Sequence, residues 1–143
     1  MLNKEIEWSN ALSTDVAPLD QQHQELLLLA QVFMRTLSSK DATLPEKQAA
    51  FTTLVNHLGA HFDFEERILR NICFPFYEQH LKEHIGIRED IDGMLNTVMN
   101  GENEDEWEGL VSMVQVCVLR HISTSDVKIR KYIERTSDEG WET

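Results

Sequence analysis

Leu19-Asp20-Gln21-Gln22-His23-Gln24-Glu25-Leu26-Leu27-Leu28-Leu29-Ala30-Gln31-Val32-Phe33-Met34 is the stretch on which the fold turns. Leu26, Leu27, Ala30, Phe33 and Met34 recur at helical spacing, and a single histidine, His23, precedes them. The spacing predicts a helix over 19–38, with Asp20 as a cap near its start. The polar run from Ser38 to Thr43 ends it, and Pro45 suits the first turn of a second helix, where its missing N–H is harmless. That helix continues to about Arg70, with Phe51, Leu54, Leu58 and Phe62 in periodic positions. Pro75 disfavours helix at Phe74, so residues 73–76 form a break. A third helix runs to about Asn100 and closes on Gly101, although Gly86 and Gly93 each weaken it by about 1 kcal/mol. The fourth spans Glu104 to Arg135, with Leu110, Met113, Val114, Cys117 and Val118 on its apolar face. Short loops between long amphipathic helices predict an all-α, up-down-up-down four-helix bundle. Residues 1–18 form an N-terminal arm and residues 136–143 a polar tail.

The 143 residues fit one domain, 1–143, large enough to fold without staples. A net charge of −12, with no basic face, argues against a nucleic-acid partner. The acidic run from Asn103 to Glu106 reads as a solvated loop or helix start. No apolar run approaches the roughly 20 residues that span a bilayer, and the first residues hold no signal-peptide core. A cytoplasmic location is therefore expected. Cys73 and Cys117 make neither a disulfide framework nor a Cys-x-x-Cys motif, which suits reduced thiols.

The six histidines carry the chemistry: His23, His57, His61, His80, His84 and His121. Every predicted helix holds at least one. His80 and His84, four apart, share one helix face, as do His61 and Glu65. His121 precedes Asp126 by five, a spacing that does not align two side chains on one α-helical face. Taken singly, each pair also suits an exposed helix. Jointly, the inward faces of a bundle can bring them together. Imidazoles and carboxylates suit divalent iron, manganese or zinc. Five imidazoles and two carboxylates are too many for one tetrahedral zinc and about right for two ions with bridging carboxylates.

The order His, His-x-x-x-Glu, His-x-x-x-His, His-x-x-x-x-Asp resembles the hemerythrin family, particularly its bacterial branch. Trp8, Leu19 to His23, His61-Phe62 with Glu65-Glu66, Pro75 and His121-Ile122 agree with it, so the resemblance spans about Trp8 to Tyr132. It implies that His80, His84 and His121 hold one iron, and that His23 and His61 hold a second with an open position. Glu65 and Asp126 would bridge the ions together with a solvent-derived oxo or hydroxo group. Asp126 is expected off the face of His121, reaching across to both ions. Molecular oxygen would bind reversibly at the open position, with each ferrous ion giving up one electron. Leu26, Phe62, Cys117, Val118 and Ile122 would wall an apolar oxygen pocket, and ordinary core packing remains open for each.

Two positions depart from the family's pattern. Cys117 stands where tryptophan is frequent, four residues before the last histidine, which predicts a larger or wetter pocket and faster autoxidation. His57 stands where an aromatic is common, and three readings are open: a partner behind a ligand, a spare ligand, or an exposed side chain.

Three functions follow. The first is a non-enzymatic protein that stores or carries oxygen. The second is an oxygen or redox sensor, for which Thr136 to Thr143 would start a linker to a signalling output; a frayed terminus explains that tail equally well. The third, a di-iron oxidase, ranks lowest, because such sites use Glu-x-x-His motifs on two helices and this sequence has none.

Overall fold

A computed structural model describes residues 8–101 and 104–138. Its helices are α1 (Ala17–Ser38), α2 (Leu44–Asn71), α3 (Tyr77–Met99), α4 (Trp107–Arg120) and α5 (Val127–Asp138). A π-helical segment, His121–Asp126, joins α4 to α5, so that the three make one uninterrupted fourth rod. The four rods pack in a ring, α1 beside α2 and α4, and α3 between α2 and α4. This is the all-α bundle that the periodicity predicts. Short 3-10 turns lie in the arm (Asn10–Leu12) and before α4 (Glu104–Glu106). The last helix outruns the predicted end at Arg135 by three residues, and the remainder of the predicted tail, 139–143, falls outside the described residues.

The helix ends differ from the sequence reading in instructive ways. Asp20 is not the cap of α1; Val16 holds that position, and Pro18 occupies the first turn. Asp20 instead ties down the arm, accepting from Ser13 Oγ (2.6 Å), Thr14 N–H (2.8 Å) and Thr14 Oγ1 (2.8 Å). A capping box starts α2: Thr43 Oγ1 accepts from Glu46 N–H (3.3 Å), and Glu46 Oε1 accepts from Thr43 N–H (3.0 Å). The 73–76 break is present, with Cys73 in the left-handed region (φ 55°) and the Tyr132 hydroxyl donating to the Ile72 carbonyl (2.9 Å). Gly101 closes α3 at φ 67°, where an added Cβ would also meet Leu44 Cδ2 at 3.2 Å.

Two apolar clusters fill the bundle. The larger includes Leu26, Phe33, Phe51, Met94, Val98 and Trp107, and the smaller comprises Leu19, Leu69, Phe74 and Ile129. Along every rod the buried histidines and acids fall between the residues of one cluster and those of the other. The core is thus two dry ends with a polar layer between them. Met113, predicted on the apolar face of the fourth helix, is 46% exposed. It borders a groove of about 610 Å³ where α3 and α4 stand apart. Among the described residues no helix is long and apolar enough to cross a membrane.

Candidate metal centre

Each rod delivers its polar residues to the layer by simple helical geometry, except the last. His23 comes from α1, His61 and Glu65 from α2, and His80 and His84 from α3; all five are buried. In an α-helix His121 and Asp126 would point about 140° apart at 3.6 residues per turn. The π-helix, with its i→i+5 bonding, returns them to one face, and His121 Nε2 lies 3.0 Å from Asp126 Oδ1. The expectation that Asp126 sits off that face is corrected: the backbone changes pitch, and the side chain needs no long reach. Ser123 Oγ and Thr124 Oγ1 both donate to the Arg120 carbonyl, at 3.3 and 2.6 Å, so the irregular turn keeps its acceptor occupied.

The donor atoms fall into two overlapping groups. Glu65, His80, His84, His121 and Asp126 form one, and His23, His61, Glu65 and Asp126 form the other; within each, one donor atom per residue lies within 4.8 Å of all the rest. The two carboxylates face both ways. Glu65 Oε1 lies 2.7 Å from His80 Nε2 and 3.0 Å from His84 Nε2, while its Oε2 lies 3.5 Å from both His23 and His61 Nε2. Asp126 Oδ1 lies 2.9 Å from His80 and 3.0 Å from His121, and its Oδ2 lies 2.9 Å from His23.

Without a cation this layer has a large electrostatic problem. Burial pushes the His23 imidazole down, but Asp126 and Glu65 outweigh it and hold it at about 9. His80 is likewise raised to about 9 and His121 to about 10, against burial, by the same two carboxylates. Burial opposes ionisation of Glu65 and Asp126, yet the surrounding imidazoles hold both well below the usual carboxylate range. Even so, Glu65 Oε2 and both Asp126 oxygens are buried with no partner in hydrogen-bonding geometry, a state that costs stability. Lone pairs that converge without donors in line are what a cation satisfies, so these residues fit a metal pair.

Around the layer, Phe62 stacks on His84 at 3.9 Å and 14°. A cavity of about 10 Å³, close to the space one water-sized molecule needs, is walled by Leu26, Phe62, Cys117, Val118 and Ile122. Leu58 and Ile87 complete the wall, and no spacing in the sequence singles them out. Ile87, Cys117 and His121 border both this cavity and the outer α3–α4 groove. His57 lies apart, exposed on α2 with its Nδ1 3.0 Å from the Thr53 carbonyl; of its three readings, the exposed one describes it. Three polar residues unassigned in the sequence stand behind the cluster: Gln22, Glu66 and Glu83, beside His61, His84 and His121 respectively. Cys73 and Cys117 are both free thiols.

Residues 14–132 match the family model described as "Hemerythrin HHE cation binding domain". A protein named bacteriohemerythrin from Campylobacter jejuni is 27% identical over 116 residues, covering 81% of this chain and 86% of that one. A bacteriohemerythrin from Pseudomonas paraeruginosa is 23% identical over 144 residues, covering 94% and 90%.

Proposed function

Because the chain belongs to the hemerythrin family, we propose that it is a non-haem di-iron protein that binds molecular oxygen reversibly and is not an enzyme. The observation that carries this reading is the two-way orientation of Glu65 and Asp126, each with one oxygen toward either histidine group. In it, His80, His84 and His121 hold one ion, His23 and His61 hold the other, and Glu65 and Asp126 bridge them. The two-histidine ion has one protein donor fewer and so keeps a position for the ligand. Two ferrous ions supply the two electrons on which reversible oxygen binding draws.

The chain's own residues do the rest. Phe62, Val118 and Ile122 are buried and apolar, and they exclude water and stray protons from the bound ligand. The donor set is rich in neutral imidazole, and the Glu-x-x-His motif of carboxylate-rich oxidases is absent from the sequence; both favour binding over turnover. The polar layer lies between two dry clusters that hold its geometry. The test is to load the protein with iron, reduce it anaerobically and admit oxygen. Two irons per chain and a visible band that rises with oxygen and falls on its removal are expected. Turnover of an added organic substrate would overturn the non-enzymatic reading.

One observation favours a second role, redox sensing within the cytoplasm. Cys117 separates the inner cavity from the open groove, and a small side chain there gives solvent a short route to the ions. Under this role, admitting oxygen oxidises the centre with no reversible band.

A further inference from the structure

We propose that the side chains behind the histidines make the two metal positions unequal, so that the three-histidine position is the stronger donor set and takes the ferric ion first. This rests on the di-iron reading above. An imidazole that offers Nε2 to a metal must carry its proton on Nδ1, and the group that accepts this proton decides how much negative charge the ring can lend.

Behind the three-histidine group the acceptors are carboxylates. His84 Nδ1 lies 2.8 Å from Glu66 Oε2. His121 Nδ1 lies 3.5 Å from Glu83 Oε2, an oxygen that is buried and has no other hydrogen-bond partner. A small shift on metal binding closes that gap. Arg88 does not take Glu66 away from its imidazole: its short contact is to Asp63, at 2.8 Å, and Glu66 is 4.0 Å from it.

Behind the two-histidine group no carboxylate stands against either Nδ1. His61 Nδ1 lies 2.6 Å from Gln22 Oε1, a neutral amide. His23 Nδ1 is buried with no partner at all. The bridging carboxylates serve both groups and cannot discriminate between them. Two carboxylate-backed imidazoles thus stand against one amide-backed and one unbacked imidazole. A more basic ring stabilises the more highly charged ion. When one electron from an added chemical reductant enters the diferric protein, the ferrous ion forms at the two-histidine position. That is the position with a place left for a ligand.

The experiment uses Glu66→Gln and Gln22→Glu, with exposed Glu89→Gln as control. Each metal-free protein is titrated with zinc, which has no redox chemistry, and each iron-loaded protein is reduced stepwise while Mössbauer spectra record which ion is ferrous. Glu66→Gln should weaken the tighter zinc step by about 10- to 100-fold and bring the two reduction steps closer by about tenfold, which is 59 mV for one electron. Gln22→Glu should tighten the weaker zinc step and narrow the separation from the other side. A gain in affinity is not what mere structural damage produces, so Gln22→Glu decides the matter if Glu66→Gln folds poorly. Two metals per chain with both steps unmoved in Gln22→Glu would overturn the inference and leave the di-iron reading standing. Fewer than two irons per wild-type chain would overturn both.

Discussion

The dry end around Phe33, Phe51 and Trp107 and the polar layer around Glu65 and Asp126 are equally buried, yet opposite forces order them. In the dry end each side chain contributes independently: the Phe33 and Phe51 rings meet at 4.9 Å, and burying each stabilises the fold by about 1.5–3 kcal/mol. In the polar layer no residue is favourable alone, since every buried imidazole or carboxylate costs free energy until its neighbours compensate it. The dry end is therefore a sum, and the polar layer a single unit that a cation completes. A sum loses its terms one by one, whereas a unit fails as a whole.

Substitution at the bridge should break the layer outright. Glu65→Ala is expected to abolish binding of the metal pair, read as iron per chain. With it goes the stabilisation that bound metal confers, about 4 kcal/mol when free metal is a thousandfold above Kd. Phe51→Ala should lower the unfolding free energy by about 3–5 kcal/mol. Denaturant unfolding should give the same loss with and without metal, because the dry end does not know whether the layer is filled. A metal-dependent loss would mean that the two regions are one cooperative unit.

The pH response sharpens the contrast. In the metal-free protein His23 and His80 are held at about 9 and His121 at about 10, above the 6.5 of a free imidazole. Their contribution to stability is complete below about 6.5 and disappears as pH rises through 9 to 10. Metal-free protein should lose thermal stability over that window, and loaded protein, whose imidazoles are already neutral, should not. For the same reason apparent zinc affinity should climb with pH up to about 9–10, since each donor must first shed its proton; a flat profile would contradict the charged state of the empty layer.

Cys117 marks the boundary between the layer and solvent, and Cys117→Trp should slow autoxidation of the oxygen-bound protein, followed by visible absorption. An unchanged rate would show that the groove is not the route. The smallest effect is expected at His57. His57→Ala should leave iron content and absorption as they are and move stability by no more than about 0.5 kcal/mol.

Much of this contrast is legible in the sequence, and unevenly so. The dry end is written in local periodicity: Leu26, Ala30, Phe33, Phe51 and Leu54 are all buried as their spacing predicts. The histidines are legible because a bundle has one axis, and inward residues of four rods have nowhere else to meet. Gln22, Glu66 and Glu83 were not assigned roles, because standing behind an imidazole on a neighbouring rod is a relation between helices that no single-helix pattern encodes. Met113 fits the apolar stripe, but the gap between α3 and α4 leaves it facing outward. The Thr43 and Glu46 box was legible from its Thr-x-x-Glu spacing, whereas Asp20 misled because an acid near a helix start can serve the arm instead of the helix.

The π-helical turn has a consequence for how the chain tolerates changes of length. One extra residue is stored between Arg120 and Val127, and everything after it is re-phased relative to α4. Deleting Ser123, an exposed residue, would let the fourth rod run as an unbroken α-helix with more regular hydrogen bonding. The same deletion would turn Asp126 away from the other donors by roughly 100°, the angular step of one residue. A straighter helix would thus make a poorer protein, and a shortened relative would look intact in every respect except the one that matters. When gaps are placed between related chains, those six residues are where a single-residue offset changes chemistry and not merely length.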